Sequence, residues 1–297
     1  MSGRQTFLKR FADQLAAFQA GTNAFTVFTQ VAAASAPAGP PSTRPGTLVV
    51  LDSSFNPPTR AHLRMATSAI RSAAQARDHA PADVRLLLLL AVNNADKAPK
   101  PAAFHLRMEM MRLFALDLLN HPVGEDEAEA KAAPTLGEAG LAVDLGLTTL
   151  PYFHDKSRAI AESGVYEEEC KQVVLAGYDT LIRIFNPKYY GEGGLRAALD
   201  PLFARARLRI TMRTGDGWGG RQEQVEYLQS LRTGRLAEAG GRVEWCDRVD
   251  LVEGGPKVVS STKVREAAKQ ADAGTLDALV SSRVGSFVLE EKLYRGS

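Results

Sequence analysis

The sequence predicts an α/β fold: a doubly wound, mostly parallel sheet with helices on both faces and a helical segment at the C-terminus. Short apolar runs of strand length alternate with amphipathic stretches of helix length, as in consecutive βαβ units. The run over residues 84–92 is almost wholly apolar, which is typical of a strand covered on both faces. Ligands of such a Rossmann-like sheet bind beyond the carboxyl ends of the strands, so we expect the chemistry in the loops that follow them.

The first 46 residues are predicted to form a helix and a Pro/Gly/Ser linker, ahead of a domain over residues 47–297. Phe7 and Phe11 give this helix an apolar side that can dock on the domain. A mitochondrial presequence is the less favoured reading, because Asp13 lies within the segment and its arginine content is modest.

The strands and helices follow in order from residue 47. Strands are predicted over residues 47–52, 84–92, 141–147, 172–176, 207–212 and 242–246. Helices are predicted over residues 62–76, 102–119, 262–272 and 276–293. The acidic, Ala-rich stretch over residues 124–140 is predicted to be an exposed loop or insertion.

Composition sets limits on partners and location. The formal charge of +2 does not require nucleic acid, since a phosphate-rich small ligand accounts for it equally well. No apolar run reaches the roughly 18 residues of a membrane span. Cys170 and Cys246 are the only cysteines and lie far apart, which indicates a reducing compartment. We therefore expect a cytoplasmic or nuclear protein with no membrane or nucleic-acid partner, and a homo-oligomer remains open.

A polar loop follows the first predicted strand, with the sequence SSFNPPTRAH from Ser53 to His62. Its two prolines keep the loop extended, and Thr59 and His62 can lie together at the mouth of the next helix. A helix N-terminus presents free N–H groups to phosphate. A charged histidine there would oppose the helix dipole, which favours a role as donor to a bound polyphosphate. On these residues alone, a helix capped by Thr59 with an ordinary first-turn histidine stays open.

A second loop with hydroxyl and basic side chains introduces the penultimate helix, VSSTKVR over residues 259–265. Ser261 or Thr262 could simply cap the helix, although neither is followed three residues later by the Glu or Gln of a capping box. Lys263 and Arg265 crowd the positive helix end, which costs stability unless an anion binds. Hydroxyl groups beside an arginine suit a triphosphate.

Together these two strings resemble the G-S-F-N-P…(His/Thr)-x-x-His and I-S-S-T-x-x-R motifs of the nucleotidylyltransferase superfamily. The resemblance is to the nicotinamide-mononucleotide (NMN) adenylyltransferases, in a divergent fungal-type branch, and it spans residue 47 to the end. Ser53 stands where the family usually has glycine. The resemblance implies that NMN and ATP give NAD and pyrophosphate, with Mg²⁺ accompanying ATP and no metal site formed by the protein.

The same resemblance assigns roles to individual residues. It implies catalytic roles for His62, Arg265 and Thr59. It implies ATP binding by Ser54, Phe55, His62, Gly177, Asp179, Ser260, Ser261, Thr262 and Arg265. It implies NMN binding by Ser53, Ser54, Lys97 and Tyr190. Gly177 and Asp179 match a G-x-D that lines the adenosine ribose, and Tyr190 stands near the position of a tryptophan that stacks on the pyridine ring. Tyr152 and Phe153 are further candidates for stacking.

Other interpretations of the same residues remain. The acceptor could be nicotinate mononucleotide, phosphopantetheine or another phosphate ester, or water could replace it in an ATPase. A nucleotide-binding regulator without activity is a third class. Lys97 could be a solvated loop lysine and Tyr190 a surface aromatic. The G-x-G-x-x-G pattern over residues 215–220 lies in the fifth βα turn rather than the first, and we interpret it as a flexible loop.

Overall fold

The computed structural model describes residues 3–33, 45–75, 83–92, 101–124, 133–214, 217–255 and 259–295. Within these ranges seven strands form one sheet. They are β1 (Phe25–Ala32), β2 (Thr47–Asp52), β3 (Val84–Ala91), β4 (Ala142–Thr148), β5 (Lys171–Gly177), β6 (Ala206–Thr211) and β7 (Val249–Val252). The strand order is β1-β4-β3-β2-β5-β6-β7, and only the β1–β4 pairing is antiparallel. The predicted doubly wound, mostly parallel α/β fold is confirmed.

Helices cover the sheet on both faces. The longer ones are α1 (Gly3–Ala20), α2 (Arg60–Gln75), α3 (Phe104–Leu119), α4 (Phe153–Glu162), α5 (Tyr178–Ile184), α6 (Gly194–Arg205), α7 (Arg221–Ser230), α8 (Ser261–Lys269), α9 (Ala273–Leu279) and α10 (Ser282–Glu290). Among the described helices, none combines the length and apolar character that a membrane-spanning segment requires.

The central strands are buried on both faces, because successive side chains point to opposite sides of the sheet. In β2, Val49 and Leu51 enter one hydrophobic core while Leu48 and Val50 enter the other. The leucines of β3 divide between the two cores in the same alternating way. This two-sided burial explains why residues 84–92 are almost wholly apolar.

The N-terminal segment contributes a strand that the sequence analysis does not contain. The predicted docked helix is present as α1, with Phe11 fully buried and packed edge-on against Phe28 at 5.5 Å between ring centroids. Phe28 belongs to β1, which pairs with β4 at the edge of the sheet. The sheet therefore includes residues on the N-terminal side of the predicted boundary at residue 46, and most of the predicted linker lies outside the described residues.

The C-terminal third departs from prediction in two places. The strand predicted over residues 242–246 is wrong: a 3-10 helix spans Val243–Arg248, and the strand is β7. The tryptophan of this segment is buried against α6 rather than in a strand: Trp245 stacks on Phe203, at 5.6 Å between ring centroids. The single amphipathic stretch predicted over residues 276–293 is divided between α9 and α10.

Candidate active site

The loop between β2 and α2 is built around buried residues. Phe55 is fully buried at a φ of +46°, a conformation that residues other than glycine rarely adopt. Asn56 is also buried, and its side-chain oxygen accepts a hydrogen bond of 3.0 Å from the Tyr294 hydroxyl. The Thr59 carbonyl then accepts the Leu63 N–H at 3.1 Å, so α2 begins directly after Thr59. These contacts fix where the first residues of α2 face.

His62, in the first turn of α2, is hydrogen-bonded through both ring nitrogens. Its Nδ1 lies 3.0 Å from the Thr59 backbone nitrogen and 2.9 Å from Thr59 Oγ1, and its Nε2 lies 3.0 Å from Ser53 Oγ. Because a backbone N–H can only donate, Nδ1 is an acceptor and Nε2 holds the proton. Burial lowers the pKa of His62 to about 4, so the ring is neutral near pH 7 and does not oppose the helix dipole. His62 is therefore a neutral donor with a fixed direction.

The second motif contacts the first through hydrogen bonds. Ser260 caps α8, since its side chain accepts the Lys263 N–H at 3.3 Å. Ser261 Oγ donates to the Pro57 carbonyl at 2.8 Å. Arg265 donates to the Asn56 carbonyl at 3.0 Å and to Thr262 Oγ1 at 2.9 Å. Two segments about 200 residues apart in sequence thus form one structural unit.

The carboxyl end of β5 lies beside this unit. A Cβ at Gly177 would come within 2.8 Å of Asp179 Oδ1, so any larger residue there would displace the Asp179 carboxylate. The Asp179 carboxylate accepts hydrogen bonds from Arg183 at 2.8 Å and from Arg213 at 3.1 Å. The predicted Gly177/Asp179 pair therefore lies at the carboxyl edge of the sheet, next to the β2 loop.

A first cavity of about 530 Å³ opens between α2 and the ends of β5, β6 and β7. Of the predicted residues, it is lined by Ser53, Thr59, His62, Phe153, Gly177, Asp179 and Ser260. Its wall also includes four arginines that the sequence analysis did not single out: Arg64, Arg71, Arg209 and Arg213. This positive lining suits a polyphosphate.

A second cavity of about 450 Å³ lies on the other side of Ser53. Of the predicted residues, it is lined by Ser53, Ser54, Tyr152, Phe153 and Tyr190. The His154 ring lies 5.7 Å from the Tyr152 ring, nearly parallel to it, and 5.5 Å from the Tyr190 ring. The Tyr190 hydroxyl donates to the Ile184 carbonyl at 2.5 Å, and burial raises the pKa of that phenol. The cavity therefore has an aromatic wall that suits a flat ring.

The two cavities share a boundary. Asp52, Ser53, Phe153 and Thr180 line both of them. Two ligands, one in each cavity, would therefore come closest to each other at Asp52 and Ser53.

Several predicted residues lie elsewhere. Four of them line neither of these two cavities: Phe55, Ser261, Thr262 and Arg265. Phe55 is buried in the core below the loop after β2, and Ser261 and Arg265 of α8 hydrogen-bond to that loop. Lys97 lies outside the described residues. Whether each of these side chains touches a ligand stays a prediction.

Two buried cations of the second cavity were missed: Arg107 and Lys156. Arg107 donates to the Ala102 carbonyl at 2.8 Å, and Lys156 pairs with Asp52. Neither lies in a short motif, and the Tyr152/Phe153 segment that precedes Lys156 indicates aromatic stacking rather than a cation site.

Comparison with known proteins gives one relative over nearly the whole length. A Schizosaccharomyces pombe protein, provisionally named nicotinamide mononucleotide adenylyltransferase, is 30% identical over 290 residues, which is 97% of this chain and 98% of that protein. No model of a known protein family matches the chain.

Among solved structures, the Plasmodium falciparum nicotinic acid mononucleotide adenylyltransferase complexed with NaAD covers 84% of this chain and 98% of its own, at 13% identity and a TM-score of 0.48. A Vibrio parahaemolyticus structure, provisionally titled a nicotinate-nucleotide adenylyltransferase, covers 84% and 96%, at 14% identity and a TM-score of 0.43.

Proposed function

The chain belongs to the nicotinamide mononucleotide adenylyltransferase family, and we propose that it transfers the adenylyl group of ATP to NMN, forming NAD and pyrophosphate. The observation that supports this reaction best is the pair of cavities that meet at Ser53. One is cationic and the other aromatic, and the His62 donor contacts Ser53 at their boundary. If ATP occupied one cavity and NMN the other, their phosphates would lie close together at this boundary.

The reaction is an in-line displacement at phosphorus. A phosphate oxygen of the mononucleotide forms a bond to the α-phosphorus of ATP, while the bond from that phosphorus to the oxygen bridging to the β-phosphate breaks. The electron pair of the broken bond leaves with pyrophosphate. Because the attacking oxygen is already anionic near neutral pH, no general base is needed. Catalysis then consists of positioning and of stabilising charge on the leaving group.

We place ATP in the first cavity. Asp179 can accept a hydrogen bond from the ribose hydroxyl groups, and Gly177 leaves room for the sugar beside the backbone. Within this cavity the Nε2–H of His62 and Ser260, the cap of α8, would bind the phosphates. Ser261, Thr262 and Arg265 of α8 lie outside its lining and remain proposed phosphate contacts. His62 can exchange its contact with Ser53 Oγ for a phosphate oxygen without moving its ring, because Thr59 holds Nδ1.

We place NMN in the second cavity, with its pyridine ring against the wall of Tyr152, His154 and Tyr190. Its phosphate would reach Ser53 and Ser54 at the boundary with the first cavity, and Lys97 remains a proposed contact. The amide and acid forms of the mononucleotide differ only at a substituent of the pyridine ring. NMN is the proposed acceptor, and nicotinate mononucleotide is the comparison that the assay must include.

The residues present fit a metal ion that enters with ATP. Among the described residues, no group of three or more His, Cys, Asp or Glu side chains could hold an ion. The carboxylates that line the first cavity, Asp52, Asp179 and Glu253, are paired with Lys156, with Arg183 and Arg213, and with Arg221. Mg²⁺ bound to the triphosphate would supply neutralisation of the leaving pyrophosphate.

The test is product analysis with the purified protein. ATP, Mg²⁺ and NMN should yield NAD and pyrophosphate, resolved by HPLC, and nicotinate mononucleotide should be supplied in a parallel reaction. AMP, ADP and inorganic phosphate are measured in the same samples. Release of AMP or ADP without any dinucleotide product would refute the proposal and favour ATP hydrolysis.

A further inference from the structure

A buried ion pair lies where the two cavities meet. Lys156, in the first turn of α4, donates a hydrogen bond from its ammonium to the carboxylate of Asp52 at the end of β2. The same ammonium lies 5.3 Å from the centroid of the Phe153 ring. Asp52 and Phe153 line both cavities, and Lys156 lines the second. The ammonium is therefore at the partition between the cavities, on the side proposed for the mononucleotide.

This ammonium has more donors than the protein engages. Lys156 is 7% exposed, and among the described residues Asp52 is its one hydrogen-bond partner. An ammonium has three N–H groups, so two of them lack a protein acceptor there. Withdrawing such a group from water costs free energy unless its donors are satisfied. Phosphate oxygens in the second cavity would satisfy them.

The carboxylate also needs the ammonium. Asp52 directly precedes Ser53, where two anionic substrates must approach each other in the proposed reaction. An isolated carboxylate at this place would repel both phosphates. Pairing with Lys156 removes that repulsion, and the carboxylate in turn holds the ammonium at the partition.

We infer that Lys156 binds the phosphate of the incoming mononucleotide and that Asp52 positions Lys156 for this contact. The inference rests on the proposed function and adds to it a cation that no motif marks. The phosphate oxygens accept the N–H groups that Asp52 leaves free, which holds the attacking oxygen at the boundary with the first cavity. Because the ligand group is a phosphate monoester, the contact is the same for the amide and acid mononucleotides.

Four proteins separate phosphate binding from neutralisation of Asp52: wild type, Asp52→Asn, Lys156→Met and the double variant. The Kd for NMN is measured by isothermal titration calorimetry, and kcat and KM come from NAD formation. Lys156→Met should raise the Kd and KM for NMN by roughly tenfold to a hundredfold, from loss of charge-assisted hydrogen bonds. The KM for ATP should rise less than the KM for NMN, because Lys156 lines only the cavity proposed for the mononucleotide.

The double variant decides between the two roles. If Lys156 binds phosphate, the double variant should bind NMN more weakly than Asp52→Asn does. The factor should be smaller than the one between Lys156→Met and wild type, because Lys156→Met also leaves the Asp52 carboxylate unpaired. Wild-type affinity in the double variant would mean that Lys156 only neutralises Asp52, and the inference would be wrong. Nicotinamide riboside, which lacks the phosphate, is the second probe: its Kd should be the same in wild type and Lys156→Met.

Controls address folding and the dependence on the proposed function. Lys269→Met changes an exposed lysine of α8 that lines neither cavity, and thermal unfolding without substrate compares all variants. Lys156→Arg keeps the charge and should recover much of the NMN affinity. Wild type that binds NMN but forms no NAD would refute the proposed function and leave the calorimetric comparison valid. Unchanged NMN binding in Lys156→Met, with normal NAD formation, would refute only the inference.

Discussion

Replacing His62 with alanine removes a hydrogen-bond donor whose direction is set before any substrate binds. The Thr59 backbone N–H, 3.0 Å from Nδ1, makes that nitrogen an acceptor and places the proton on Nε2. Nε2 faces Ser53 Oγ at 3.0 Å, on the boundary between the cavities. A preorganised donor of this kind contributes about 2.7–4 kcal/mol to transition-state stabilisation. We therefore expect kcat to fall roughly a hundredfold to a thousandfold in His62→Ala.

The assay is the initial rate of NAD formation at saturating ATP and NMN. Thr59→Val is the matched control, because it removes the hydroxyl but keeps the backbone N–H that orients His62. Its kcat should fall less than about tenfold, as for loss of one neutral hydrogen bond. Wild-type turnover in His62→Ala would refute the catalytic role, and an equal loss in Thr59→Val would refute the argument from the backbone N–H.

The pH profile tests the protonation state of His62. With a pKa of about 4, lowered by burial, the ring of the free enzyme is neutral through the range from pH 6 to pH 8. The profile of kcat/KM in that range should therefore show no acidic limb that depends on His62. An acidic limb near the ordinary histidine pKa in wild type that disappears in His62→Gln would show that the charged ring is present there instead.

Three further substitutions test the scaffold. Arg265→Ala should reduce kcat/KM for ATP by roughly tenfold or more, since it removes a charge-assisted bond to the Asn56 carbonyl and a proposed phosphate contact; unchanged kinetics across ATP concentrations would mean that the start of α8 is only a cap. Tyr294→Phe leaves the buried Asn56 side-chain oxygen without its donor and should lower the free energy of unfolding by about 1–3 kcal/mol in urea titration. Asp144→Ala removes the carboxylate that pairs with buried Arg85 at 3.2 Å and should lower the free energy of unfolding by about 3–5 kcal/mol. An unchanged free energy of unfolding would show that the pair is exposed to water.

The sequence predicts best the strands that are buried on both faces of the sheet. β3 needs only an apolar run of strand length, because Val84 and its five leucines all enter one core or the other. The sequence of β1 does not show the alternation typical of a strand, because its buried residues, Phe25, Phe28 and Val31, are spaced three apart instead of two. The pairing with β4 shifts register between Val27 and Thr29, so Phe28 is an extra residue that breaks the alternation.

The site was predictable as far as its residues are close in sequence. The loop after β2 and the start of α8 contain their chemistry in strings of seven to ten residues, and the structure joins them through Arg265 and Ser261. The arginines of the first cavity come instead from isolated positions. Arg209, for example, lies within β6 and donates to Ser68 of α2 at 2.8 Å, a contact that depends on how α2 lies across the sheet.

Strand order explains why the loop after β2 could be located from the sequence and why Lys156 could not. The sheet places β2 between β3 and β5, so the chain crosses to the other half of the sheet beside β2, and the loop after β2 falls at the switch point where such folds bind ligands. The first motif could therefore be located from its place after the first parallel strand. Lys156 could not, because its ammonium reaches Asp52 across 104 residues only if α4 starts at Phe153 and turns its first-turn lysine toward β2. That rotation is set by packing of α4 on the sheet, through Ile160 among others, and no local pattern near residue 156 records it.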